Sequence, residues 1–130
     1  MMKKNSISIV ALVFGMALFF AQGFTETGTA SYYHNKFHGK KTYSGEVYDK
    51  NKMTGAHSTL PMGTMVKVTN LKNDSTVVLK INDRLPSKKR IIDVSRAGAE
   101  QLNFVRDGLV KVRLEVIEDN LPPVNDVKKE

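Results

Sequence analysis

Two carboxylates stand in settings that suit proton-transfer chemistry. Asp83 follows directly on the apolar stretch Thr76-Val-Val-Leu-Lys-Ile81, within Asn82-Asp83-Arg84. Glu46 follows Gly45 in a long polar segment. A carboxylate at the end of an apolar strand is partly desolvated, which raises its pKa, and a paired cation such as Arg84 acts in the opposite direction. Two carboxyl groups in different environments can divide acid and base roles on a glycosidic bond. The plainer alternatives are a turn-capping Asp83 and a solvated Glu46. Three histidines, His34, His38 and His57, are enough in number for a zinc site. Asn35-Lys36-Phe37 and Gly39 argue against a helix there, so the four-residue spacing of His34 and His38 carries no metal meaning. The Glu that follows the first His of the helical metalloprotease motif is also missing. No metal and no cofactor are expected. The chain has no cysteine and no Gly-x-Ser-x-Gly elbow, so nucleophilic side-chain catalysis has no candidate. Tyr32, Tyr33, Phe37, Tyr43 and Tyr48 crowd the same N-terminal stretch. They suit either a core or a sugar-stacking platform, and strand alternation sends Tyr32 and Tyr33 to opposite faces.

The elements that must position these groups are mainly strands. Residues 65–70 alternate apolar and polar, as a half-buried strand does. Residues 76–81 are more continuously apolar, which predicts a strand covered on both faces. Lys72-Asn73-Asp74 is turn chemistry, so the two form a hairpin. Further strands are predicted at 28–33, 90–93 and 109–117, with a weak one at 52–54. Ser95 is an N-cap for a short helix over residues 96–102 that stops at Asn103. Ala99 and Leu102 share its apolar face, and Gly98 permits close packing on a sheet. Six short strands and one helix with Gly and Pro punctuation describe a small closed barrel. Two loops, 34–51 and 55–64, are long for so small a domain, and long loops on a compact scaffold commonly carry function.

Composition and the chain ends bound the setting. The chain has 130 residues, 41% hydrophobic and 25% charged, the size of one domain. This excludes a multidomain enzyme and a polytopic membrane protein. Lys3 and Lys4 precede an unbroken apolar run over residues 9–21, and the small residues Ala21 and Gly23 flank Gln22. That is the pattern of a secretory signal peptide over residues 1–23. The run falls short of the ~20 residues of a spanning helix. The alternative is an uncleaved N-terminal anchor. Losing Lys3 and Lys4 lowers the net charge from +7 to +5. A basic surface outside the cytoplasm suits an anionic polymer such as cell wall better than nucleic acid. Lys88-Lys89-Arg90 is its densest cluster. Residues 118–130, polar and holding Pro122-Pro123, read as a disordered tail. The folded domain is then 24–117.

The order and spacing of several short motifs resemble the RlpA-like (rare lipoprotein A) family. They are Gly28-Thr-Ala-Ser-Tyr-Tyr33, Phe37-His-Gly39, Thr42-Tyr-Ser-Gly-Glu46, Thr54-Gly-Ala-His-Ser-Thr-Leu-Pro-Met-Gly-Thr64, Val66-Lys-Val-Thr-Asn70, Ile81-Asn-Asp-Arg84 with Pro86, and Ile91-Ile-Asp-Val-Ser95. The resemblance covers about residues 28–117 and implies a six-stranded double-psi β-barrel. It implies an exported, cofactor-free lytic transglycosylase, located in the periplasm, envelope or exterior. Such an enzyme cleaves MurNAc–GlcNAc β-1,4 bonds of peptide-stripped peptidoglycan to 1,6-anhydro ends. By motif, Asp83, Glu46 and His57 become the catalytic candidates, with Asp83 as the acid and His57 bonded to one of the two carboxylates or to substrate. Tyr33, His38 and Arg84 are assigned to the substrate groove. Leu85 stands where the family usually has Gly and is expected either to narrow that groove or to reorder the loop carrying Asp83. No lipidation cysteine is present. The expected state is a monomer with glycan as partner, no nucleic acid and no stable membrane insertion. The alternatives are an expansin-like barrel that binds glycan without cutting it, and a barrel that binds another protein.

Overall fold

The structure, a computed structural model, describes residues 23–117. The leader assigned to 1–23, apart from Gly23, and the tail assigned to 118–130 lie outside the described residues. Six strands close into one barrel: β1 (Thr25–Tyr32), β2 (Thr54–His57), β3 (Met65–Asn70), β4 (Thr76–Arg84), β5 (Ile92–Val94) and β6 (Val110–Val116). Their order around the barrel is β1-β5-β2-β4-β3-β6. The β1–β5 and β2–β4 pairs are parallel and the remaining pairs antiparallel. One helix, α1 (Arg96–Gln101), lies between β5 and β6. The mainly β barrel with a single short helix expected from the sequence is therefore what forms. No helix among the described residues is long and apolar enough to cross a membrane.

The hairpin of β3 and β4 forms as the pattern predicts. Val66 and Val68 face the core beside Val77, Leu79 and Ile81. Covering of both faces of β4 is not borne out, because Val78 is 44% exposed on the outer face. The barrel has one interior, so a strand in its wall buries alternate residues only. Strand β4 also runs on to Arg84, which makes Asp83 a strand residue. The weak strand predicted at 52–54 forms instead at Thr54–His57, and all four of its residues are buried. Gly55 and Ala56 carry little strand propensity. Hydrogen bonding to β4 on one side and β5 on the other decides their conformation.

The predicted cap is present: Ser95 Oγ accepts from the Gly98 amide at 3.1 Å. Gly98 lets α1 sit on the barrel, where a Cβ would meet Leu79 and Val94 at 3.3 Å. Ala99 and Leu102 are fully buried, and the chain turns at Asn103 with φ 57°. The long segment between β1 and β2 is tied down. Tyr48 is buried, and its hydroxyl accepts from the Arg96 amide at the start of α1 (3.1 Å).

One-sided burial of β4 has a measurable consequence. Leu79→Ala should lower the unfolding free energy by about 2–5 kcal/mol in urea titration, as a cavity in the core requires. Val78→Ala on the outer face should change it by roughly 1 kcal/mol or less.

Candidate active site

Register brings the site together. Strand β2 runs between β4 and β5, and its Ala56 is opposite Asp83 on one side and Asp93 on the other. Asp93 is in turn opposite Ser31 of β1. Residues in register share a face, so Ser31, Asp93, Ala56 and Asp83 form a row across four strands. All four line one groove of about 640 Å³. Two strand spacings separate the carboxylates, roughly 9–10 Å of backbone. A β-bulge in β4 sets this alignment: Gly55 pairs with Ile81 and Ala56 with Asp83, leaving Asn82 as the extra residue. Without it Asn82 would be opposite Ala56. An extra residue of this kind re-aims the side chain that follows it.

Asp83 joins three segments. Its Oδ1 accepts from the amides of Tyr43 (2.8 Å) and Arg84 (2.9 Å). Its Oδ2 accepts from the Tyr33 hydroxyl at 2.5 Å. Oδ2 keeps a second lone pair for a ligand. Among the described residues no cation lies within 4.0 Å of Asp83. Arg84 does not pair with it: Nη1 donates to the carbonyls of His57 (3.0 Å) and Leu60 (2.7 Å), and the guanidinium lies 5.2 Å from the centre of the Tyr43 ring. Tyr33 is clamped by stacking on Tyr48 (4.3 Å between centroids) and by the edge of Phe37. Burial, then its bond to Asp83, pushes the Tyr33 phenol well above its ordinary range. Tyr33 therefore remains a hydrogen-bond donor at physiological pH.

Asp93 was not singled out from sequence, although the Ile91-Ile-Asp-Val-Ser95 motif contains it. Arg90 grips it with Nε at 2.9 Å and Nη2 at 3.1 Å, and Ser31 Oγ donates to it at 2.6 Å. The signal available in the sequence was a carboxylate between two apolar positions of a short strand. Which face it occupied required the register with β2.

Glu46 is not in the lining of this groove. Its carboxylate accepts from Lys80 Nζ at 2.6 Å and from Asn82 Nδ2 at 3.1 Å, and the three border smaller clefts beside it. These two hydrogen bonds, Lys80 first, hold the Glu46 carboxyl below its usual range, so it stays ionised. The groove and Glu46 are linked by the loop between them: Ser44 donates its amide to the Asn82 carbonyl while Tyr43 donates to Asp83.

Of the two expectations for His57, a bond to Asp83 or Glu46 or a bond to substrate, the structure shows neither carboxylate as its partner. His57 is 1% exposed, and its Nε2 faces Glu26 at 2.9 Å. Its Nδ1 accepts from the amides of Thr59 and Leu60, both at 3.1 Å, which assigns the proton to Nε2. The physical reason is strand alternation: Ala56 faces the groove, so its neighbour His57 faces away. His38 is also outside the groove lining and receives the Lys50 amide on Nδ1 (3.1 Å). His34 lines the groove in its place, with Nδ1 capping the 3-10 turn Asn35–Phe37. Tyr33 and Arg84 both line it. Leu85 lines it too, but is only 4% exposed, so its side chain is mostly tucked into the protein.

A family model described as lytic transglycolase matches residues 25–114. The endolytic peptidoglycan transglycosylase RlpA of Neisseria meningitidis serogroup A is 52% identical over 95 residues, 72% of this chain and 40% of that protein. The chain spans less than half the length of the curated relatives it matches. Among solved structures, Streptomyces papain inhibitor superposes with a TM-score of 0.61 at 24% identity, covering 74% of this chain and 96% of the inhibitor. A mutant Clavibacter michiganensis expansin in complex with cellohexaose superposes with a TM-score of 0.59 at 19% identity, covering 77% and 54%. These two likenesses concern the fold.

Two outcomes follow from the site's geometry. His57→Ala strands the buried Leu60 amide, the part-buried Thr59 amide and Glu26, and should lower the unfolding free energy by about 2–4 kcal/mol in urea titration. Lys80→Met should raise the Glu46 carboxyl pKa toward the ordinary carboxylate range, with the Asn82 hydrogen bond still holding it down in part, read by NMR titration of its side-chain carbon. The sign follows from the depressed value: the pair's small stabilisation is present above the ordinary carboxylate pKa and is lost as pH falls through the folded one. The variant should lack that acid-side loss.

Proposed function

The chain belongs to the RlpA-like lytic transglycolase family, and from that premise we propose that it cleaves the MurNAc–GlcNAc β-1,4 bonds of peptidoglycan glycan strands, leaving 1,6-anhydro ends. The observation that carries this reading is Asp83: a groove carboxylate with no cation within 4.0 Å among the described residues, one oxygen held by two amides and the other by a clamped tyrosine hydroxyl. In its protonated form Asp83 donates to the bridging oxygen as the bond to MurNAc C1 breaks. The departing GlcNAc keeps that proton as its 4-hydroxyl. The 6-hydroxyl of the same MurNAc then closes onto C1 and returns a proton to Asp83. One carboxyl thus acts first as acid and then as base. The reaction as written needs no cofactor and no water as nucleophile.

The neighbours have distinct parts. Tyr33 donates to the Asp83 carboxylate once it has given up its proton, stabilising the anion during ring closure. Asp93, across Ala56, offers its negative charge to the oxocarbenium-like transition state, although Arg90 matches much of it. Glu46 is suited to neither proton transfer, since it stays ionised against Lys80; it anchors the loop whose Tyr43 amide holds Asp83. His57 supports the opposite side of β2, and its carbonyl fixes Arg84. The stripped strands favoured by the family are the proposed substrate. The protein is proposed to act on them as a monomer in the cell envelope after export.

The test is digestion of amidase-stripped peptidoglycan, with products read by mass spectrometry. The wild type should release anhydro-ended glycans, and Asp83→Asn should reduce this by at least 10³-fold, in line with loss of the essential acid and base. Tyr33→Phe and Glu46→Gln should each retain activity lowered by roughly tenfold, since each only supports Asp83. Sedimentation with the glycan but no products from the wild type would replace the enzyme with a glycan-binding barrel.

A further inference from the structure

Lys40 and Lys41 bring two ammonium groups to the groove that the transfer chemistry does not use. The other cations of the lining are engaged: Arg90 forks onto Asp93, and Arg84 donates to two backbone carbonyls. Among the described residues neither Lys40 nor Lys41 has a carboxylate within 4.0 Å. Lys40 instead shares the Phe37 ring with Lys36, their Nζ atoms 5.9 and 5.3 Å from its centroid. The Lys40 contact with the Phe37 ring orients its ammonium without neutralising the charge.

The backbone that carries these lysines is held in place. The Lys40 amide donates to the Phe37 carbonyl (3.0 Å), and the Lys40 carbonyl accepts from the Tyr48 amide (2.7 Å). Lys41 bridges to Val47. Tyr48 in turn is buried and stacked on Tyr33, which holds Asp83. The cationic wall is therefore built on the same clamp as the catalytic carboxylate. A ligand charge received by the lysines is referenced to the position of Asp83.

This deepens the proposed glycan cleavage and rests on it. The hydroxyl and acetamido groups of the strand are neutral. Its one anionic group attached directly to a sugar is the lactyl carboxylate of MurNAc. In peptide-bearing strands that carboxyl is consumed in an amide bond to the stem; in stripped strands it is free and ionised. We propose that Lys40 and Lys41 bind the free lactyl carboxylate, so that stripped strands are selected by their charge rather than by the room left where a peptide was.

The experiment compares three substrates with the same protein: stripped strands, stripped strands whose lactyl carboxylates have been converted to N-methylamides with carbodiimide and methylamine, and peptide-bearing strands. Binding is read by co-sedimentation and cleavage by mass spectrometry. The methylamide is small and neutral, so it removes the charge without restoring the bulk of a peptide. Stripped strands should bind roughly three- to tenfold more tightly than methylamidated ones, the scale of one or two exposed ion pairs. Raising the salt to 0.5 M should erase most of that ratio. In Lys40→Gln/Lys41→Gln the ratio between the two substrates should fall to near one. Equal binding of stripped and methylamidated strands, with peptide-bearing strands still rejected, would overturn the inference in favour of steric selection. Equal cleavage of both small-group substrates would also overturn it while leaving the enzyme reading intact. A persistent binding ratio with no cleavage of either would uphold charge recognition and sink the enzyme reading alone.

Discussion

Everything at the site depends on a four-residue strand with nothing large on its groove face. Strand β2 is hydrogen-bonded on both edges and buried along its whole length. Its Gly55 admits the Asp93 carbonyl so closely that a Cβ would lie 3.3 Å from it. Its Ala56 leaves the floor of the groove open between two aspartates. A bulky residue at either position would push β5 away or fill the space a sugar needs. The bulge at Asn82 completes the constraint, because it determines that the residue facing Ala56 from β4 is a carboxylic acid and not an amide.

Three carboxylates near one another receive three different electrostatic treatments. Asp93 is matched by the two-pronged grip of Arg90, and Glu46 by Lys80 and Asn82. Asp83 has amides and a phenol instead. A cationic partner matches a carboxylate's charge directly, whereas neutral donors orient the group without supplying an opposite charge. The division of labour thus comes from partners and not from the carboxyl groups themselves. Tyr33 is the joint of this arrangement, since its ring is locked by Tyr48 and Phe37 and its hydroxyl reaches Asp83. Through Tyr48, the loop between β1 and β2 is fastened to the start of α1 and becomes a rigid groove wall.

Much of the barrel was legible from local pattern. Strands β3 and β6, the hairpin turn, the Ser95 cap and the stop at Asn103 follow from alternation and capping chemistry, which involve neighbours in sequence. Asp83 stood out because a carboxylate closing an apolar strand is unusual by itself. The less legible parts share a cause. Strand β2 is made mostly of small residues whose conformation is imposed by partners 26–39 positions away in register. The exposed Val78 looked buried because an apolar run does not state how many layers will cover it.

The sequence by itself determined the class of the protein, the strands with strong alternation and the identity of the chemical groups available: two marked carboxylates, a cluster of tyrosines and basic loops. Only the tertiary structure decided which of them meet. It sent His57 to Glu26 and away from the groove, brought Asp93 into line with Asp83, and separated Glu46 from both by giving it Lys80. The physical reason is that a strand's two faces differ by a single residue of register. A local pattern shows that faces alternate, but contacts between distant strands and one bulge decide which residue lies on which.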